Sequence, residues 1–142
     1  MKKLVFMLVT VPAILFVSAK KISEKEVPVV VTSALKKHYP DAKELKWEKE
    51  NSNYEAAFKM AKTAYSLLID TAGHILETEV EISIKEVPAD VNTYLLKHYK
   101  EQKIKEVAKI TDNKGIVTYE IEVKGKDLIF DNSGKFLKEE KD

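Results

Sequence analysis

The chain has 142 residues, with 24 basic and 23 acidic side chains, a formal charge of +1 and no cysteine. That length supports one ordinary core without covalent staples, and the missing thiols exclude disulfides, thiolate metal sites and cysteine catalysis. Every basic residue is a lysine, so this near-neutral chain lacks the arginine forks and the electrostatic footprint of a nucleic-acid binder.

The N-terminus begins with Lys2 and Lys3, runs through the apolar stretch Leu4–Val17 and reaches Val17-Ser18-Ala19. A short basic start, an apolar run and small residues at its end form the layout of a secretory signal peptide. The run falls short of the roughly 20 residues that a helix needs to span a bilayer. Residues 1–19 are therefore expected to be a signal peptide cleaved after Ala19, with no membrane span afterwards and a periplasmic or secreted location. Loss of Lys2 and Lys3 would take the formal charge from +1 to −1. Residues 20–25 read as a flexible leader, and Lys138–Asp142 as a fraying tail.

From Glu26 onwards the sequence says the same thing twice. Glu26-Val27-Pro28, Val31, Leu35 and Lys37-His38-Tyr39 return as Glu86-Val87-Pro88, Val91, Leu95 and Lys97-His98-Tyr99. Self-similarity of this kind must be recognised before any fold is assigned. Proline suits a helix start, where its missing N–H costs nothing. Val27, Val31 and Leu35 make one apolar stripe, as do Val87, Val91 and Leu95. Lysine and histidine suit the negative end of the helix dipole. Two helices are predicted, over residues 28–39 and 88–99.

Between and after the helices the pattern has a period of two, the mark of strands with one wet face. Leu45 and Trp47 alternate with charged residues, as do Tyr54, Ala56 and Phe58. Tyr65, Leu67 and Ile69 follow, then Leu76, Thr78, Val80 and Ile82. Tyr119, Ile121 and Val123, then Leu128 and Phe130, continue the scheme in the second copy. Asp70, Asp112 and Asp131 each begin an Asp-x-x-Gly turn, with the two residue types that such turns favour. The expected fold is α+β: two tandem α-β-β-β-β repeats, residues 26–84 and 85–142. They would form an antiparallel sheet with helices on one face. Trp47, Tyr54 and Phe58 are expected in the core beneath those helices.

No serine–histidine–aspartate arrangement or nucleophile elbow is present, and no pair of carboxylates stands out as an acid and base. The expectation is a nonenzymatic protein without a cofactor or metal. His38 and His98 occupy equivalent positions, but each is explained by its helix end, and two histidines fall short of a zinc signature. The Asp-x-x-Gly turns lack the further ligands of a calcium loop.

The wet sheet face is the place where a binding case can be built. It should present Glu55, Lys59, Glu77, Glu79, Glu120 and Glu122 among other charges, with Leu68 and Ile129 as equivalent apolar residues and Ile75 beside them. Apolar anchors inside a charged rim are the layout of a protein-binding patch.

The Pro-initiated helix ending at His38-Tyr39-Pro40, the strand Glu44–Glu48, Tyr54-Glu55-Ala56, and Tyr119–Val123 followed by Leu128–Lys135 resemble the PepSY-like family of small exported bacterial proteins described as β-lactamase-inhibitor-like. The resemblance covers essentially the whole chain after the signal peptide, as two tandem units. It implies a periplasmic or secreted protein that acts by binding another exported or envelope protein. Inhibition of a peptidase or β-lactamase-like enzyme is the implied outcome. The alternative is a periplasmic small-ligand or metal-sensing domain, using a pocket between helices and sheet or the His38/His98 pair.

Overall fold

The computed structural model describes residues 19–141, so the signal peptide and its cleavage site lie outside the described residues apart from Ala19. Strand β1 (Lys20–Ile22) leads through a 3-10 turn (Glu24–Glu26) into helix α1 (Val29–His38). Strands β2 (Lys43–Glu50), β3 (Asn53–Met60), β4 (Thr63–Ile69) and β5 (Ile75–Glu81) follow. The scheme then repeats with a 3-10 turn (Ile84–Glu86), α2 (Ala89–His98), β6 (Ile104–Asp112), β7 (Val117–Val123), β8 (Lys126–Asp131) and β9 (Phe136–Lys141). All nine strands form one antiparallel sheet in chain order. This is the α+β architecture that the repeats predict.

Each helix begins where Pro28 or Pro88 sets an extended residue just ahead of it. Upstream, Glu26 and Glu86 reach back to accept the backbone N–H of Ser23 and Ser83 at 2.8 and 2.7 Å. The two carboxylates therefore satisfy donors that the chain's entry into each turn leaves over. Val31 and Leu35, and Val91 and Leu95, are the buried residues of their helices. Each burial of this size contributes about 1.5–3 kcal/mol.

Two apolar clusters lie under the helices on the same sheet face. The first gathers Val31 and Leu35 with Trp47, Tyr54, Phe58, Leu67 and Ile69. The second gathers Val91 and Leu95 with Val107, Ile121, Val123, Leu128 and Phe130. Trp47, Tyr54 and Phe58 are thus core residues, as expected.

Three expectations are corrected. Lys20–Ile22 are not part of a flexible leader but pair with Lys49–Trp47 of β2. Lys138–Lys141 do not fray, because they complete β9 against β8. Ile75 does not join the wet face: it pairs with Ile69 and packs on the first core cluster. The register slips between Leu68 and Ile69, and one extra residue in a strand turns every side chain beyond it to the opposite face.

β5 serves both repeats, since it pairs with β4 on one edge and β6 on the other. Its junction with β6 sets Glu81 opposite Ala108, and β1 meets β2 at the equivalent pair, Lys21 opposite Glu48. Its junction with β4 sets Glu77 opposite Leu68, and β9 meets β8 at the equivalent pair, Lys138 opposite Ile129. Even the bulge recurs, between Ile129 and Phe130.

Candidate interaction face

The sheet face turned away from the helices is built by the strand register. One row runs Glu48, Glu55, Leu68, Glu77 and Asp112 across β2 to β6. The next holds Ala57, Ser66, Glu79, Ile110 and Thr118. A third holds Glu81, Ala108, Glu120, Ile129 and Lys138. The last sets Glu106, Glu122, Asp127 and Glu140 side by side. Of the residues expected here, Leu68, Ile129, Glu55, Glu77, Glu79, Glu120 and Glu122 share this face. Lys59 stands at its margin, paired with Glu44 at 2.9 Å.

Although no helix covers this face, Ala108 is 1% exposed and Ile129 8%. Their neighbours' side chains close over them. Ala108 is the decisive small residue. Glu120 of β7 lies directly opposite it, and Glu79 of β5 lies opposite Ile110, the next residue of β6 on the same face, so both carboxyls border an apolar strip. Burial is the first cause that pushes Glu79 up to about 7, followed by the charges of Glu106, Glu55, Asp127 and Glu77. Burial likewise comes first for Glu120, pushed up to about 8, followed by Glu79, Asp127, Glu106 and Glu140. Desolvation and like charge both disfavour ionisation, and here they act together. Glu50 is also raised, by burial and then by Glu55, Glu77 and Glu48.

Other members of the face have partners. Ser66 Oγ donates to Glu55 Oε1 at 2.7 Å, Lys105 Nζ to the buried Glu122, and Lys138 Nζ to Glu140 at 2.6 Å. The expectation that no carboxylate pair would stand out is therefore overturned for Glu79 and Glu120. Glu106, Asp127, Ala108 and Ile110 also escaped the sequence reading. Strand alternation tells which face a residue takes, and only strand order tells which residues become neighbours.

The remaining candidates stay local. The Asp70 side chain accepts from the backbone N–H of Ala72 and His74, and Asp112 and Asp131 repeat the pattern with Lys114 and Ile116, and with Ser133 and Lys135. Turn formation thus accounts for all three aspartates. His74 pairs with Asp70 at 2.9 Å, and His98 rests on the ring of Tyr94 with centroids 4.3 Å apart. His38 and His98 end helices that pack on separate core clusters. Among the described residues, no group of three or more metal-ligating side chains gathers, and no helix is long and apolar enough to cross a membrane.

Residues 16–77 and 70–138 each match the family described as "Putative beta-lactamase-inhibitor-like, PepSY-like". The chain belongs to this PepSY-like family. The two matches overlap at residues 70–77, where β5 begins its double service. Solved structures share the fold. A "putative periplasmic" protein of Bacteroides eggerthii aligns at TM-score 0.74 and 20% identity, over 81% of this chain and 88% of that one. A DUF2874 family protein of Bacteroides uniformis aligns at TM-score 0.67 and 23% identity, over 80% and 88%. A protein of Bacteroides fragilis described as BLIP-like aligns at TM-score 0.63 and 29% identity, over 79% and 84%. No curated protein matches the sequence.

Proposed function

We propose that this PepSY-like chain is an exported, noncatalytic module that captures another envelope or secreted protein on its open sheet face, as an inhibitor does. The partner presents lysine or arginine side chains to that face. The observation that carries this reading is the carboxylate-rich face itself, with an apolar band from Leu68 through Ile110 and Ala108 to Ile129. Carboxylates held in a poorly solvated array gain from opposite charges, and the part-exposed Leu68 and Ile110 among them give the contact its anchor. The signal-peptide layout and the periplasmic neighbours support the location, and the inhibitor-like family name supports the mode of action.

Crosslinking capture from the native envelope tests the reading when the intact chain is run beside a Glu55→Lys/Glu77→Lys variant and a Leu68→Asp variant. These positions are exposed enough to change without emptying the core, unlike Ile129. The expected result is one captured species, weakened by salt and lost in both variants. Undiminished capture by folded variants overturns the assignment to this face.

A further inference from the structure

The two ends of this sheet are copies of its middle. β5 meets β6 in a register that sets Glu79 opposite Ile110 and Val80 opposite Lys109. β9 holds on β8 the place that β5 holds on β4, and β2 is the first-repeat counterpart of β6. β9 therefore ends the sheet with the kind of edge that β6 joins in the middle. The carbonyl of Leu76 in β5 accepts from Asn113 N at 2.8 Å, whereas its counterpart Leu137 in β9 is 50% exposed. At the other end, among the described residues, the outer edge of β2 is covered by the three residues of β1.

We propose that the outer edge of β2 is the acceptor for β9 of a second copy of this chain, in the register of β5 on β6, and that β1 is a strap withholding it. The occupant follows from continuity with a junction the chain already makes: β9 is a second β5, and β2 is a second β6. In that register Glu140 meets Glu50 and Lys141 meets Lys49, and like charges directly opposite one another weaken a strand pair. Strap and charges thus act together to hold copies apart. The contact they prevent is head-to-tail, the kind that links copy to copy into a ring or a filament. A very short edge strand rich in lysine is a known guard against such addition.

The test uses the chain from Lys20 in two single-cysteine forms, Glu50→Cys and Glu140→Cys, which the absence of native thiols makes unambiguous. The equivalent internal pair, Glu79 and Ile110, sits between hydrogen-bonded pairs, since Ile82 N donates to Val107 O at 2.9 Å. Such a position brings the two Cβ atoms close enough for a disulfide. The Glu50→Cys form is prepared with the strap intact, with Lys20→Pro/Lys21→Pro, and with the milder Lys21→Gly. Proline at Lys20 has no N–H to give to β2. Each form is mixed with Glu140→Cys, oxidised and run on a nonreducing gel.

Loosening the strap is expected to raise the disulfide-linked heterodimer about tenfold, the factor of a 1.4 kcal/mol change. A Lys49→Cys form, whose side chain takes the opposite face, should not crosslink. Far-UV circular dichroism and Trp47 fluorescence report the fold. No gain in heterodimer for a folded strap variant, or equal crosslinking at Lys49, overturns the proposal.

Discussion

The two repeats build the same core from different parts. In the first, Trp47 of β2 faces Ala56 of β3 directly across the strands. In the second, the same place is taken by Val107 of β6 facing Ile121 of β7. All four are buried. One repeat uses a very large residue against a very small one, and the other uses two of middle size. The helix and strands above and below remain alike, so the fold constrains the volume of the pair and leaves its partition free. The aromatic rings shift similarly. Tyr39, Phe58 and Tyr65 cluster near the end of α1, whereas Tyr94, Phe130 and Phe136 cluster under the middle of α2.

The comparison breaks most sharply if one half of a pair is exchanged. Ala56→Ile should overfill the space beside Trp47, and Trp47→Val should leave a cavity, each costing about 2–4 kcal/mol. The double variant Trp47→Val/Ala56→Ile places the second repeat's pair in the first and should recover more than half of the summed loss. It also removes the buried Trp47 Nε1, which has no hydrogen-bond partner among the described residues. Urea unfolding of all four proteins closes the cycle. Additive losses would show that the two sites are not one volume.

The same comparison explains what could be read from the sequence. Both helices were legible because Pro28 and Pro88, the valine–leucine stripes and the basic ends are local signals written twice. The core strands were legible through alternation at Tyr54–Phe58 and Tyr119–Val123. β1 was not, since two lysines and an isoleucine carry no pattern, and its strand character comes from β2 beside it. Ile75 was misplaced because the bulge after Leu68 depends on pairing with β4. The cluster around Glu79 and Glu120 was hidden for a related reason. Its members come from several strands, and Ala108 interrupts no visible alternation until β6 is set between β5 and β7.

That cluster separates the repeats again. Glu120 corresponds to Glu55, and Glu79 to Glu140, yet Glu120 stands opposite Ala108 and Glu79 opposite Ile110, while their counterparts bond to Ser66 and Lys138. Glu79 and Glu120 bind their protons more tightly in the folded chain than the usual carboxyl value of 4.5. The sign follows: the folded state holds the extra protons, so stability falls as pH rises from about 4.5 towards about 8 and changes little beyond. Asp70 and Asp131 act oppositely, since backbone and side-chain donors lower them, and their contribution is lost in more acid solution. Maximum stability is expected near about pH 4.5, between the two windows. Glu79→Gln and Glu120→Gln should each stabilise the chain at pH 8, on the order of 1–2 kcal/mol after allowance for solvent screening, and have little effect near pH 4.5. Thermal unfolding across pH reads this directly, and a flat profile for the native chain would contradict the burial of these carboxyls.

The smallest difference between the repeats lies in a turn. β7 and β8 are joined by Lys124-Gly125, with φ of 57° and 71°. β3 and β4 are joined at the equivalent place by Ala61-Lys62, with φ of 49° and 69°. Two positive values in succession give the mirror-image hairpin turn whose twist matches that of its strands. Glycine takes the second position without a clash, whereas lysine there sets Cβ against the following carbonyl at a cost of about 1–2 kcal/mol. Part of that is returned because glycine loses more freedom on folding, roughly 0.5–1 kcal/mol. Lys62→Gly should therefore stabilise the first repeat by about 0.5–1 kcal/mol, and Gly125→Lys should destabilise the second by a similar amount. Both should move the urea midpoint with the slope unchanged. The same sign for both substitutions would mean that the two hairpins, for all their matching geometry, are held by something other than their turns.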